Sequence, residues 1–166
     1  MTTHFVDSSE ITVALPPPAA IALFTPEGER SWAGRDGWNP RYPDPSRSFG
    51  VGAVFTTHHE TRHTIWVIVD QESHRLRYAR VTPDGLAGTV DVRVRAGSPN
   101  STTVQVTYDL TALTGAAADE LAEFAAGYQT EIGTWAIAIA ESLAGRRTAP
   151  PARVAAAGDT DRRTAR

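Results

Sequence analysis

The stretch ADELAEFAAGYQTEIGTWAIAIAESLAG, residues 118–145, decides what kind of fold this chain can form. Within it Leu121, Phe124, Tyr128, Ile132, Trp135, Ile139 and Leu143 recur at intervals of 3, 4, 4, 3, 4 and 4. Side chains spaced in this way share one stripe of an α-helix, since a turn takes about 3.6 residues. Glu120, Glu123, Glu131 and Glu141 fall mostly elsewhere on the wheel. Thr114 stands where an N-cap would, Asp119 and Glu120 occupy the early turns where the helix dipole favours acids, and Gly145 is a natural stop. A helix over residues 116–144 is expected, about 28 residues or roughly 40 Å long. With one apolar side only, it needs an apolar surface of similar length to lie on.

The preceding segments supply that surface. Strand-like runs occupy residues 52–58, 63–70, 75–81, 87–95 and 102–109, separated by turns at 60–62, 71–74, 83–85 and 96–100. The Pro83-Asp84-Gly85 turn is the firmest, with proline presetting one backbone angle and Gly85 expected to take a positive φ. In the last two runs Val90, Val92, Val94 and Val104, Val106, Tyr108 form one face, while Asp91, Arg93, Arg95, Thr103, Gln105 and Thr107 form the other. One dry face and one wet face describe an antiparallel sheet covered on a single side. Across the turns, Tyr78 is expected opposite Val90, and Val92 opposite Val106. Leu76, Tyr78, Arg80, Val90, Val92, Val106 and Tyr108 then share the covered, concave face.

Upstream, residues 5–15 alternate like a half-buried strand through Ile11, Val13 and Leu15. Pro16, Pro17 and Pro18 stop it, and short helical turns are expected over 18–24 and 26–32. Residues 33–50 hold three prolines and three glycines, which argues against regular structure and for a long loop over the sheet.

Composition narrows the function classes. The 166 residues suit one domain, with 41% hydrophobic and 21% charged residues. The absence of cysteine excludes disulfides, thiolate catalysis and cysteine-ligated metals. No apolar run approaches a membrane span, and the start MTTHFVDSSE lacks a basic-then-apolar leader, so a cytoplasmic protein is expected. All 16 basic residues are arginine; residues 146–166 hold six of them against Asp159 and Asp161, leaving an acidic body of about −7 that disfavours nucleic acid. Residues 146–166 have no apolar period and are expected to be a disordered tail after a domain of residues 1–145.

The segments FTPEGERSW (24–32), GWNP (37–40), TIWVIV (64–69), YARVTPDG (78–85) and VTYDLTAL (106–113), in this order of elements, resemble a bacterial branch of the START-like or SRPBCC superfamily. That superfamily includes birch-pollen-allergen and polyketide cyclase groups. The resemblance spans about residues 5–145 and implies an α+β helix-grip fold: a curved antiparallel sheet around one long C-terminal helix, with two short helices after the first strand. It implies lipid and hormone binders, aromatase/cyclases and chaperone partners as functional relatives, and so does not choose among them.

A curved sheet gripping a straight helix tends to leave a cavity, and the expected ligand is a hydrophobic or aromatic small molecule. Its expected contacts are Trp32, Trp38, Trp66, Tyr78, Arg80, Val92, Val106, Tyr108, Tyr128 and Trp135. Arg80 has two readings, an inward clamp for a carboxylate, phosphate or enolate, or an edge residue paired with an acid. Trp32 and Trp38 either stack on a ligand or anchor their loop, and Trp66 has either face open. Glu27 and Glu29 are bases at the mouth or first-turn helix acids in solvent. His58, His59, Glu60 and His63 look metal-like by residue type, but a wet hairpin tip accounts for them and no metal or other cofactor is expected. Alternatives to simple binding are a polyketide cyclase/aromatase-like or lyase enzyme in the same cavity, and a protein-interaction module. A cavity above roughly 300 Å³ favours the small-molecule readings, and a filled core favours the module. A homodimer is allowed.

Overall fold

The computed structural model of the chain describes residues 3–148. Strand β1 (His4–Val13) leads into helices α1 (Pro17–Ala22) and α2 (Pro26–Glu29). Strands β2 (Val54–His59), β3 (Arg62–Glu72), β4 (Arg75–Val81), β5 (Leu86–Ala96) and β6 (Thr102–Ala112) then form a meander, and helix α3 (Gly115–Thr148) ends the described chain. All neighbours in the six-stranded sheet are antiparallel, in the order β1-β6-β5-β4-β3-β2, and the sheet is not closed. Helix α3 lies against β1 and β6, while α1 lies against β5 and β6.

The apolar stripe of α3 meets the dry face as its spacing predicts. Leu121, Tyr128, Ile132 and Ile139 are buried, and Phe124, Trp135 and Leu143 are partly buried against the same core. The Thr114 hydroxyl accepts from the Ala117 N–H at 3.2 Å, capping the helix. Helix α3 does not stop at Gly145 but continues to Thr148: a single glycine weakens a helix by about 1 kcal/mol without obliging it to end. The expected tail from residue 149 onward lies outside the described residues.

The register expectations hold, with Tyr78 opposite Val90 and Val92 opposite Val106. At the Pro83–Gly85 turn, however, the left-handed residue is Asp84 (φ 58°) rather than Gly85. Aspartate tolerates that conformation through its short polar side chain. Residues 33–50 are not wholly irregular either. Two 3₁₀ turns, Gly34–Asp36 and Pro45–Arg47, and a bridge between Arg41 and Thr56 stitch the loop to β2. On the convex face Asp91 binds Arg75 at 2.6 Å and Arg93 at 2.9 Å, an ion-pair cluster that replaces the simple solvated strip.

One glycine is held by sterics. Gly88 in β5 sits between Arg80 of β4 and Leu110 of β6. A Cβ there would lie inside contact distance of the Asp109 carbonyl oxygen and 2.9 Å from the Asp109 carbonyl carbon. Backbone atoms cannot swing aside as a side-chain tip can. Gly88→Ala is therefore expected to cost about 2–3 kcal/mol by overpacking, read as a lowered urea midpoint at unchanged slope. An unaltered midpoint would mean that β5 and β6 separate freely.

Candidate functional site

The concave side of β2–β6, helix α3, and α2 with the segment after it line an open-sided cavity of about 260 Å³. Its wall includes Glu29, Trp32, Trp38, Thr57, His58, His59, Trp66, Tyr78, Arg80, Val90, Val92, Tyr108, Glu131 and Trp135. The volume lies just below the roughly 300 Å³ floor of drug-sized sites, so it suits a molecule of one or two rings. Trp32, Glu131 and Trp135 also line a wider surface groove of about 900 Å³ between the 30–35 segment and α3.

All four tryptophans of the chain reach this wall, each by a different route. Trp32 donates its indole N–H to the Leu23 carbonyl at 2.8 Å and packs on Trp135 with ring centroids 5.4 Å apart. Trp38 donates to the Pro26 carbonyl at 2.8 Å and meets Trp66 edge-on at 5.6 Å. The two loop tryptophans thus anchor their segment with one edge and face the cavity with the other. Trp66 turns inward, stacked on Phe55 with the planes 2° apart, and donates to the Thr57 hydroxyl at 2.9 Å. Its face is set by a bulge between Ile68 and Asp70, where an extra residue in β3 shifts the alternation.

Arg80 lies across the ladder from Trp66, with its guanidinium carbon 5.1 Å from the centre of the Trp66 ring. The edge reading of Arg80 fails: it faces the cavity, and its Nε is buried with no hydrogen-bond partner. No carboxylate among the described residues pairs with it; the Glu120 carboxylate is bound by Arg62 at 2.7 Å, a bridge that ties the β2–β3 hairpin to α3. Burial depresses the Arg80 pKa from its usual value, with Tyr108 and Glu120 pulling the other way. Arginine stays charged even so, and the result is a cation inside an aromatic box without an anion.

The tyrosines divide by their hydroxyls. Tyr78 donates to the Phe24 carbonyl at 2.7 Å, and burial raises its pKa far out of reach of neutral-pH chemistry. Tyr108 lines the same cavity with no hydrogen-bond partner for its hydroxyl among the described residues, and burial pushes its pKa up to about 12. Tyr128 does not line the cavity. It is fully buried, donates to the Val106 carbonyl at 2.7 Å, and packs edge-on to Phe5 and Tyr108. Val106 is likewise fully buried away from the cavity wall. The structure places these two expected contacts in the core beneath α3, where Tyr128 packs on Phe5 of β1 and on Phe124.

Sequence reasoning underweighted the acids and histidines. Glu27 is the solvated helix acid, bound to Arg30 at 2.8 Å and to the Tyr42 hydroxyl at 2.9 Å. Glu29, two residues later, turns into the cavity; burial raises its pKa well above the ordinary glutamate value. A helical turn separates side chains by about 100° per residue, so two positions along the chain suffice to move from solvent to cavity. His58 and His63 face each other across the hairpin with rings 6.0 Å apart, while His58 and His59 also edge the cavity. Among the described residues no three metal-ligating side chains gather at one point, and no helix is long and apolar enough to cross a membrane.

No protein-family model and no curated protein matches the chain. Solved structures do. Norcoclaurine synthase from Thalictrum flavum aligns with a TM-score of 0.61 at 11% identity, over 86% of this chain and 88% of its own. The Mll3558 protein from Rhizobium loti aligns at 0.58 and 19% identity, over 86% and 96%. CalU16 from Micromonospora echinospora aligns at 0.56 and 12% identity, over 87% and 90%. At these identities the likeness concerns architecture, and it agrees with the element order, the sheet topology and the gripped helix: the chain has the helix-grip fold.

Proposed function

We propose that the chain binds a small aromatic molecule carrying an anionic oxygen, with its rings among Trp32, Trp38, Trp66 and Trp135 and its oxygen at Arg80 and Tyr108. The observation that carries this reading is the buried Arg80 Nε, unpartnered, on a guanidinium facing a cavity walled by every tryptophan of the chain. A charged group is costly to bury unless something pairs with it, and no carboxylate among the described residues does so. A planar guanidinium fork suits a carboxylate or phenolate oxygen, and aromatic walls suit flat apolar rings. At about 260 Å³ the cavity falls short of the roughly 300 Å³ named above, yet it is not a filled core, and the unpartnered Arg80 on its wall supports the small-molecule reading.

The test uses the tryptophans themselves. Titration with 2-naphthoate is expected to change tryptophan emission saturably and to raise the melting temperature, while acetate, which has the charge without the rings, does neither. Native mass spectrometry of protein from its own host is expected to find a retained small aromatic acid or phenol. If 2-naphthoate, 2-naphthol and naphthalene all leave emission and melting unchanged, the binding reading is wrong.

A further inference from the structure

The cavity holds a second polar pole that ligand binding alone does not use. Glu29 faces it from the last residue of α2, and among the described residues no side chain hydrogen-bonds its carboxyl. The neighbouring Tyr78 hydroxyl is committed to the Phe24 carbonyl. The Tyr108 hydroxyl is not committed, and it feels both the Glu29 carboxyl and the Arg80 guanidinium. The half-buried Glu29, one unbonded phenol and one unpaired cation therefore share a space of about 260 Å³, with Glu131 a second acid on the same wall but exposed to solvent. Several acids elsewhere in the fold are engaged: Asp91 with Arg75 and Arg93, Glu120 with Arg62, Glu27 with Arg30 and Tyr42.

We propose that Glu29 is a catalytic residue that removes the proton from a carbon next to the carbonyl of a small ketone that bears an aromatic ring, while Arg80 and Tyr108 receive the enolate oxygen. The step is balanced without a co-reactant. The C–H bond breaks and its proton goes to the Glu29 carboxylate. The electron pair forms the carbon–carbon double bond of the enolate as the carbonyl π pair moves onto oxygen. That oxygen then accepts hydrogen bonds from Arg80 and Tyr108, a preorganised electrostatic site in a space walled by rings. When the Glu29 carboxyl proton is swapped with solvent before a hydron returns to the same carbon, the result is exchange, and return to a conjugated position gives an isomer. A base with an elevated pKa is matched to this work near neutral pH.

This inference rests on the binding reading, and one experiment separates the two. The full-length protein is incubated in D₂O with 2-tetralone, a ketone fused to an aromatic ring, and loss of the α-proton signal is followed by NMR. The same samples are titrated with 2-naphthoate by tryptophan emission. Wild-type protein is expected to exchange the α-protons faster than Glu29→Gln by about 100-fold or more, with Glu29→Asp retaining a measurable part. The wild-type rate is expected to rise with pH as the carboxyl ionises, with a midpoint above the ordinary glutamate range. The other groups lining the cavity that could shape this profile are Tyr78, Tyr108 and Arg80 from the sheet, His58 and His59 from β2, and Glu131 from α3. Circular dichroism melts check that both variants fold. Exchange no faster than buffer, with 2-naphthoate still bound, overturns the catalytic role and leaves binding standing. Exchange equal in wild type and Glu29→Gln overturns the assignment to Glu29. Absence of both exchange and 2-naphthoate binding removes the inference together with the reading beneath it.

Discussion

Arg80→Met is expected to make the empty protein more stable and the ligand-binding protein worse. The guanidinium carries a buried, unpartnered Nε, and the contact that compensates it is the Trp66 ring at 5.1 Å. Replacing buried ionic groups by packed apolar ones of similar volume is commonly neutral or stabilising by about 1–4 kcal/mol. The lost cation–π contact offsets about 0.5–2 kcal/mol of that, and part of the group still faces the open cavity, so a net gain of about 1 kcal/mol is reasonable. At this chain length that is roughly 2–4 °C in melting temperature. Hydrogen bonds to a charged group contribute about 1.5–3 kcal/mol, so 2-naphthoate affinity should fall about 10- to 100-fold. Naphthalene affinity should hardly move. Thermal melts with and without ligand check both halves. A lower melting temperature with unaltered 2-naphthoate affinity would make Arg80 a structural residue and remove the anion from the proposed ligand. Sites that hold a cost in the empty state for the sake of a partner are where stability and function trade against each other.

The second large effect is expected in the grip itself. Tyr128 is fully buried between α3 and the sheet, touching Phe5, Tyr108 and Phe124 with ring centroids 5.4, 5.7 and 5.8 Å away. Truncation to alanine removes a ring at a point where rigid strands prevent collapse, at about 3–5 kcal/mol, or a melting temperature lower by roughly 10 °C. Tyr128→Phe keeps the ring and loses the hydroxyl's hydrogen bonds, to the Val106 carbonyl and with the Ser9 and Tyr108 backbone, on the order of 1 kcal/mol. Urea unfolding of both variants separates packing from hydrogen bonding. Because Tyr128 lies outside the cavity wall, Tyr128→Phe should bind 2-naphthoate as wild type does. Selective loss of binding in that variant would return Tyr128 to the ligand site, where its place on the helix stripe first suggested it.

Tyr128 and Trp135 illustrate how far a stripe can be read. Their spacing from Leu121 and Ile139 states that both face the sheet, and both do. It does not state that the sheet closes tightly over Tyr128 and stands away from Trp135, since that depends on curvature accumulated over several strands. The same limit governs Glu27 and Glu29, first-turn acids on one short helix. Glu27 pairs locally with Arg30, three residues on, but only the packing of α2 over the sheet opening makes the face that Glu29 occupies a cavity wall.

The chain's own order of residues determined the long helix, the covered and wet sheet faces, and the pairing of Tyr78 with Val90 and Val92 with Val106. Those features follow from repeats of 3.6 and 2 and from short turns, all local properties of the backbone. Tertiary structure alone decided the inward face of Trp66, the isolation of Arg80 and the turn of Glu29. A single extra residue at the Ile68/Asp70 bulge reverses the alternation beyond it, and a charge is paired or solitary according to side chains far away in the chain. Local periodicity carries no record of either.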